Sequence, residues 1–167
     1  MRLLFWNLIS LWGTFGAGVL LVVLAFVLDT TFGLITFFNL ALITAASNTW
    51  KVYHFKARPD NPEAFRPERP FNPIHVLKFL NLKNAIAYFH YVDAGSFPSI
   101  HSARSFNLAL LFAYLSGYPC TYAIFLGFAA LVAWSRVVKK RHFKTDITAG
   151  AILGLLTAAL SIYFVMQ

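Results

Sequence analysis

The chain has 167 residues, 59% of them hydrophobic and 12% charged, with fourteen Lys plus Arg against six Asp plus Glu. This balance excludes an ordinary soluble domain and places the chain in a bilayer. The basic excess requires no nucleic-acid partner, because its distribution has a topological explanation, and the single Cys120 excludes an internal disulfide.

Apolar stretches at 4–28, 31–50, 99–116, 120–137 and 146–166 suit helices crossing a hydrocarbon core of about 30 Å. The first continues from Leu3 to Leu28 without a small-residue cleavage site, so it reads as an anchor rather than a secretory signal. The expected fold is therefore all-α, a polytopic transmembrane bundle of five spans, or six, forming a single domain over residues 1–167. A large insertion, 51–98, separates the second and third spans. It opens with Pro59, Pro62, Pro67, Pro70 and Pro73, which predicts an irregular loop over 59–73. Asn72 can then cap a helix in which Phe71, Ile74, Leu77 and Leu80 face one way and His75, Lys78 and Asn81 another. Such an amphipathic helix lies in the interface or caps the bundle.

If the spans alternate, the N-terminus, the insertion and the link at 136–145 share one face, and all fourteen Lys and Arg fall on it. Basic residues accumulate on cytoplasmic loops, so the expectation is a multi-pass protein of a bacterial or archaeal inner membrane with this face in the cytoplasm, the outer face being the alternative.

Three clusters on that face carry chemistry. Lys51 ends the second span and Arg58-Pro59 follows seven residues later; were the helix to continue, both cations would share one face and suit an anion. Ser96-Phe97-Pro98-Ser99-Ile100-His101 opens the third span. Its first backbone N–H groups and the helix dipole favour a phosphate, Ser99 can cap or donate, and His101 in the first turn is suited to proton transfer. Ser135-Arg136, His142 and Asp146 lie between the fourth and fifth spans. Asp146, one turn after His142, can accept from one imidazole nitrogen and free the other as a nucleophile, while the Arg136 guanidinium can hold phosphate oxygens. Other polar residues read more plainly. Lys139-Lys140-Arg141 and Lys144 suit a juxtamembrane anchor, and His54, His75 and His90 are structural. Ser105 and Asn107 suit bonds between helices, whereas Arg104 either snorkels or reaches the site.

In this order and spacing, Lys51 with Arg58-Pro59, Pro98-Ser99-Ile100-His101, and Ser135-Arg136 with His142 and Asp146, the chain resembles the type 2 phosphatidic acid phosphatase superfamily, whose helical-bundle core is shared with vanadium haloperoxidases. The resemblance implies that His142 attacks phosphorus and becomes phosphorylated, that Asp146 orients it, and that His101 protonates the leaving oxygen. Lys51, Arg58, Ser99, Arg136 and backbone amides, including that of Ile100, would hold the phosphate. It also implies a metal-independent lipid phosphatase without a cofactor, its partners being the bilayer and a lipid phosphate monoester or diphosphate such as phosphatidylglycerophosphate, phosphatidate, a polyprenyl diphosphate or a lipid A phosphate. Ile100 stands where the family's pattern has glycine. A phosphotransferase using the same intermediate, a haem protein ligated by His101 and His142, and a non-catalytic membrane protein are the other readings; the cations beside the histidines favour phosphate over haem.

Overall fold

The computed structural model describes residues 2–60 and 81–165. Seven helices cover most of them: α1 (Arg2–Leu11), α2 (Phe15–Leu28), α3 (Thr30–Tyr53), α4 (Leu82–Ala94), α5 (Ile100–Ser116), α6 (Pro119–Val138) and α7 (Lys144–Val165). The all-helical architecture agrees with the composition. The loop expected at 59–73 and the amphipathic helix after it lie almost wholly outside the described residues.

Among the described residues three helices, α3, α6 and α7, are long and apolar enough to cross a membrane, and α1 with α2 forms a fourth candidate if the bent pair is one span. The apolar run 4–28 is thus not one straight helix. Its two halves meet at 45° around Gly13 and Thr14. Thr14 does two jobs at the break: its hydroxyl donates to the Leu11 carbonyl at 2.6 Å and accepts from the Ala17 N–H at 3.4 Å, ending one helix and capping the next. At the far end Asp29 closes α2 and caps α3, accepting from the Phe32 N–H at 2.7 Å, so that α2 and α3 form a hairpin.

Large apolar side chains are exposed along the helices, among them Leu20, Val27, Phe38, Ile124, Leu156 and Leu160, a surface suited to lipid rather than water. α5 is different. It is 17 residues long, carries Arg104, Ser105 and Asn107 buried, and is flanked by α3, α6 and α7, so its polar residues meet protein instead of lipid.

The most extensive packing joins α5 to α7. Gly150 and Gly154 stand one turn apart on α7, and a Cβ on either would collide with α5 backbone, the Ser99 and Ala103 carbonyls respectively. Small residues at this spacing let helices approach closely in a membrane, where packing and interhelical hydrogen bonds replace the hydrophobic drive. Ser102 Oγ donates to the Ile147 carbonyl at 2.6 Å, and Asn107 Nδ2 donates to Thr157 Oγ1 at 2.9 Å across the same seam. Gly154→Val is therefore expected to destabilise the protein by about 2–3 kcal/mol through overpacking, measurable as a lower melting temperature in detergent; an unchanged Tm would contradict this packing.

α4 was not foreseen in the sequence. Asn81, expected on the polar face of a preceding helix, instead caps α4, its side chain accepting from the Lys83 N–H at 3.0 Å. Tyr88, Tyr91 and Val92 pack with Val52 at the end of α3, while Leu82, Ile86 and Phe89 form an exposed apolar stripe.

Candidate active site

The C-terminal end of α3, the N-terminal end of α5 and the α6–α7 link meet at one end of the bundle. They enclose a cavity of about 450 Å³ lined by Lys51, Arg58, Ile100, His101, Arg136 and His142. Six of the eight expected site residues thus share one cavity. Ser99 and Asp146 lie just behind it, both fully buried.

The spacing between Arg136 and His142 follows from how α6 ends. Lys140 takes the left-handed conformation with φ 54°, the Arg141 N–H bonds back to the Arg136 carbonyl at 2.9 Å, and the Lys140 N–H bonds to that of Val137 at 2.9 Å. This six-to-one and five-to-two pairing is a Schellman closure, which turns the chain sharply and returns His142 beside Arg136. α7 then starts with a reciprocal cap. The Phe143 N–H donates to Asp146 Oδ2 at 2.9 Å, and the Asp146 N–H donates to the Phe143 carbonyl at 3.1 Å.

His142 and Asp146 stand together at ion-pair distance, as expected, but the imidazole hydrogen bond goes to another acceptor. His142 Nδ1 lies 2.7 Å from the Ser96 carbonyl oxygen and 3.8 Å from Asp146 Oδ2, beyond hydrogen-bond range. A carbonyl only accepts, so Nδ1 carries the proton and Nε2 keeps its lone pair. Asp146 acts one step removed. Its carboxylate accepts from the Ser96 hydroxyl, from Lys56 Nζ at 2.5 Å and from the Phe143 amide, and its own carbonyl accepts from the Ser99 N–H at 3.0 Å. It therefore fixes the Ser96 segment whose carbonyl orients the imidazole. Burial, opposed by the nearby Asp146 carboxylate and assisted by the cations Arg136, Lys51 and Arg58, lowers the His142 pKa below its ordinary 6.5 and favours the neutral ring.

Arg58 reaches the cavity by a different route from the one its spacing suggested. α3 stops at Tyr53, and Arg58 arrives on an extended segment in which Ala57 pairs with Gly95 and the Lys56 carbonyl accepts from the Ser96 N–H at 2.7 Å. Its guanidinium donates to Asp93 Oδ1 at 2.8 Å, and Lys51 Nζ donates to the Val92 carbonyl at 3.2 Å. Both cations of the first cluster are held by the end of α4. Burial opposes ionisation of Asp93, but the Arg58 hydrogen bond and charge outweigh it and hold this carboxyl below its usual range. The Nε atoms of Arg58 and Arg136 are buried with no hydrogen-bond partner among the described residues.

Ser99 caps α5, its Oγ accepting from the Ser102 N–H at 3.5 Å. Among the described residues, no three His, Cys, Asp or Glu side chains converge as metal ligands.

The α1–α2 break contributes residues that no motif announced. Arg136 Nη1 donates to Ser10 Oγ at 2.6 Å, Thr14 lines the cavity, and a Cβ on Gly13 would come within 2.8 Å of His101 Cδ2. Ser10 is thus a positioning residue for the Arg136 fork. Ser10→Ala is expected to raise KM roughly tenfold with a smaller change in kcat, the loss appropriate to one hydrogen bond to a charged group, and Ser10→Thr should restore most of it. An unaltered KM would remove Ser10 from the site.

No curated protein and no solved structure matches the chain. A family profile, that of the PAP2 superfamily, matches residues 32–167, a segment that holds all three clusters and begins after the α1–α2 break. The chain belongs to the PAP2 superfamily, with phosphatase-type activity the chemistry that membership supports.

Proposed function

We propose that this membrane protein hydrolyses the phosphate of a membrane lipid, a monoester or a diphosphate, through a phosphohistidine at His142. The observation that carries the proposal is a single cavity into which an oriented imidazole and the buried guanidiniums of Arg58 and Arg136 converge. Buried donors without partners call for an acceptor, and phosphate oxygens supply several at once.

The chemistry follows from these positions. His142 Nε2 donates its lone pair to phosphorus, forming an N–P bond, while the P–O bond to the lipid breaks and its electron pair passes to the leaving oxygen. His101 gives that oxygen a proton. Water then attacks the phosphohistidine, losing a proton to His101, and inorganic phosphate departs as the N–P electron pair returns to Nε2. Arg58, Arg136 and Lys51 offset the charge spread over the equatorial oxygens, a task that positioned cations can perform without a metal ion. The apolar outer surface holds the substrate's membrane beside this end of the bundle. The concentration of Lys and Arg on the loops at the same end supports an inner-membrane protein with its site facing the cytoplasm.

The test is phosphate release by the purified protein from a panel of lipid phosphates in excess chelator. Release that persists in chelator supports the proposal, whereas release that needs an added divalent ion contradicts its metal-free form. The pH profile adds a second check. His142 attacks only when neutral and its pKa is lowered from the ordinary 6.5, so the acid-side fall of kcat/KM that it sets is expected below pH 6.5. A fall centred above pH 7 would contradict the buried, neutral ring.

A further inference from the structure

The phosphate cavity has an apolar extension. A groove of about 510 Å³ runs between α2 and α3, lined by side chains such as Val19, Val23, Phe37 and Ala41. It shares two residues with the phosphate cavity, Thr44 and Arg104. These are the polar residues of an otherwise apolar lining, and they lie where the two spaces join. Arg104 is buried on α5 one turn beyond His101, and its Nη2 donates to Thr44 Oγ1 at 2.8 Å. Thr44 in turn donates to the Leu40 carbonyl at 2.6 Å, which anchors the pair to α3.

From this arrangement we propose that Arg104, oriented by Thr44, binds the second, non-reacting phosphate of a single-chain lipid diphosphate whose hydrocarbon lies in the α2–α3 groove. The proposal deepens the lipid-phosphatase reading and rests on it for the position of the reacting phosphate.

Three considerations favour this ligand. A guanidinium that lines both an apolar groove and a cationic cavity stands where a lipid's anionic head and its hydrocarbon meet, and it can hold phosphate oxygens by bidentate hydrogen bonds. Among the described residues lining the phosphate cavity stand four cationic side chains, Lys51, Arg58, Arg104 and Arg136, and one carboxylate, Asp93. A phosphate monoester carries only about −1.5 to −2 at neutral pH, so a diphosphate balances that lining better. The groove is a slot along two helices, spanning Phe37 to Ala45 on α3, a rise of about 12 Å. One extended chain follows such a slot into the bilayer. Ala41 and Ala45 are exposed at its rim, open towards lipid.

In this arrangement the terminal phosphoryl group transfers to His142, the bridging P–O bond breaks, and the lipid monophosphate leaves with the proton from His101, still held at Arg104. The products are a lipid monophosphate and, after water attacks the phosphorus on His142 and the N–P bond breaks, inorganic phosphate.

The test compares farnesyl diphosphate, farnesyl monophosphate, isopentenyl diphosphate and dioleoyl phosphatidate as substrates of the full-length protein in detergent. The proposal expects kcat/KM to favour farnesyl diphosphate. Arg104→Gln should lower the ratio of farnesyl diphosphate to farnesyl monophosphate by about tenfold or more, the size of a lost charged hydrogen-bond pair. Thr44→Val should lower it in the same direction and serves if the arginine variant does not fold. Ala41→Trp, at an exposed rim position, should fill the groove and lower the ratio of farnesyl to isopentenyl diphosphate. A diphosphate-to-monophosphate ratio unmoved by Arg104→Gln and Thr44→Val, or a preference for phosphatidate, would overturn the subsite. If no substrate releases phosphate, the phosphatase reading falls and equilibrium binding decides the subsite: farnesyl diphosphate preferred over the monophosphate, with the preference erased by Arg104→Gln, upholds it, and equal binding overturns it.

Discussion

Replacing His142 with alanine is expected to reduce phosphate release by about four orders of magnitude or more, with the protein still folded. The size follows from the role: a nucleophile that forms the covalent intermediate cannot be bypassed by the remaining cations, which retain only binding and charge stabilisation. The fold should tolerate the change better than the chemistry does. His142 lies in the α6–α7 link, its side chain bonds to one backbone carbonyl, and the link itself is held by backbone hydrogen bonds to Arg136 and Val137. Phosphate release and thermal unfolding of the same preparation separate the two effects. Residual turnover within tenfold of the parent would remove His142 from the reaction.

The second large effect is expected at Asp146, and there stability and activity should fall together. This carboxylate is fully buried and accepts from Lys56, Ser96 and the Phe143 amide, tying the start of α7 to the segments before α5 and after α3. Removing one partner from a buried charged network typically costs about 3–5 kcal/mol, because the others lose their acceptor. Lys56 is partly exposed and can turn to water, which places Asp146→Ala at the lower end of that range. Activity should drop at least a hundredfold, since the Ser96 carbonyl that orients His142 is no longer fixed. Asp146→Asn keeps the shape and part of the bonding and should be milder in Tm than in kcat. Loss of activity with no loss of stability would instead indicate direct contact between Asp146 and the reacting groups.

The sequence made the helices legible because apolar runs report membrane residence directly, and its motifs led to the six charged, imidazole and amide-bearing residues that share the cavity. What hydropathy could not register is where an apolar run breaks. Gly13 and Thr14 are two mildly polar residues inside a long apolar run, too few to interrupt its average, yet the glycine is what allows backbone to lie against His101. The α4 helix was hidden because one of its faces packs on protein through Tyr88 and Tyr91 while the other exposes Leu82, Ile86 and Phe89, so no long apolar run marks it. Gly150 and Gly154 were passed over in the sequence, although two small residues four apart were the available signal for the α5–α7 contact.

The site's supporting contacts were harder to read for a different reason. Ser10, Thr14, Thr44 and Asp93 come from segments remote in sequence, and each is an unremarkable residue until the fold sets it beside a cation or the cavity. The orienting acceptor for His142 is a main-chain carbonyl, a group every residue carries and no motif encodes. A spacing of four between His142 and Asp146 suggested a direct bond because it presumed one continuous helix. His142 instead lies in the link before α7 begins, and the ring turns to Ser96.

The most direct test of the central claim is to quench the enzyme during turnover of a lipid phosphate and look for the covalent intermediate by peptide mass spectrometry under alkaline conditions, where phosphohistidine survives. A phosphoryl group on the peptide containing His142, assigned to that residue and absent from His142→Ala, is the predicted result. Turnover that leaves no phosphoryl group on His142, or places it on His101, would contradict the account.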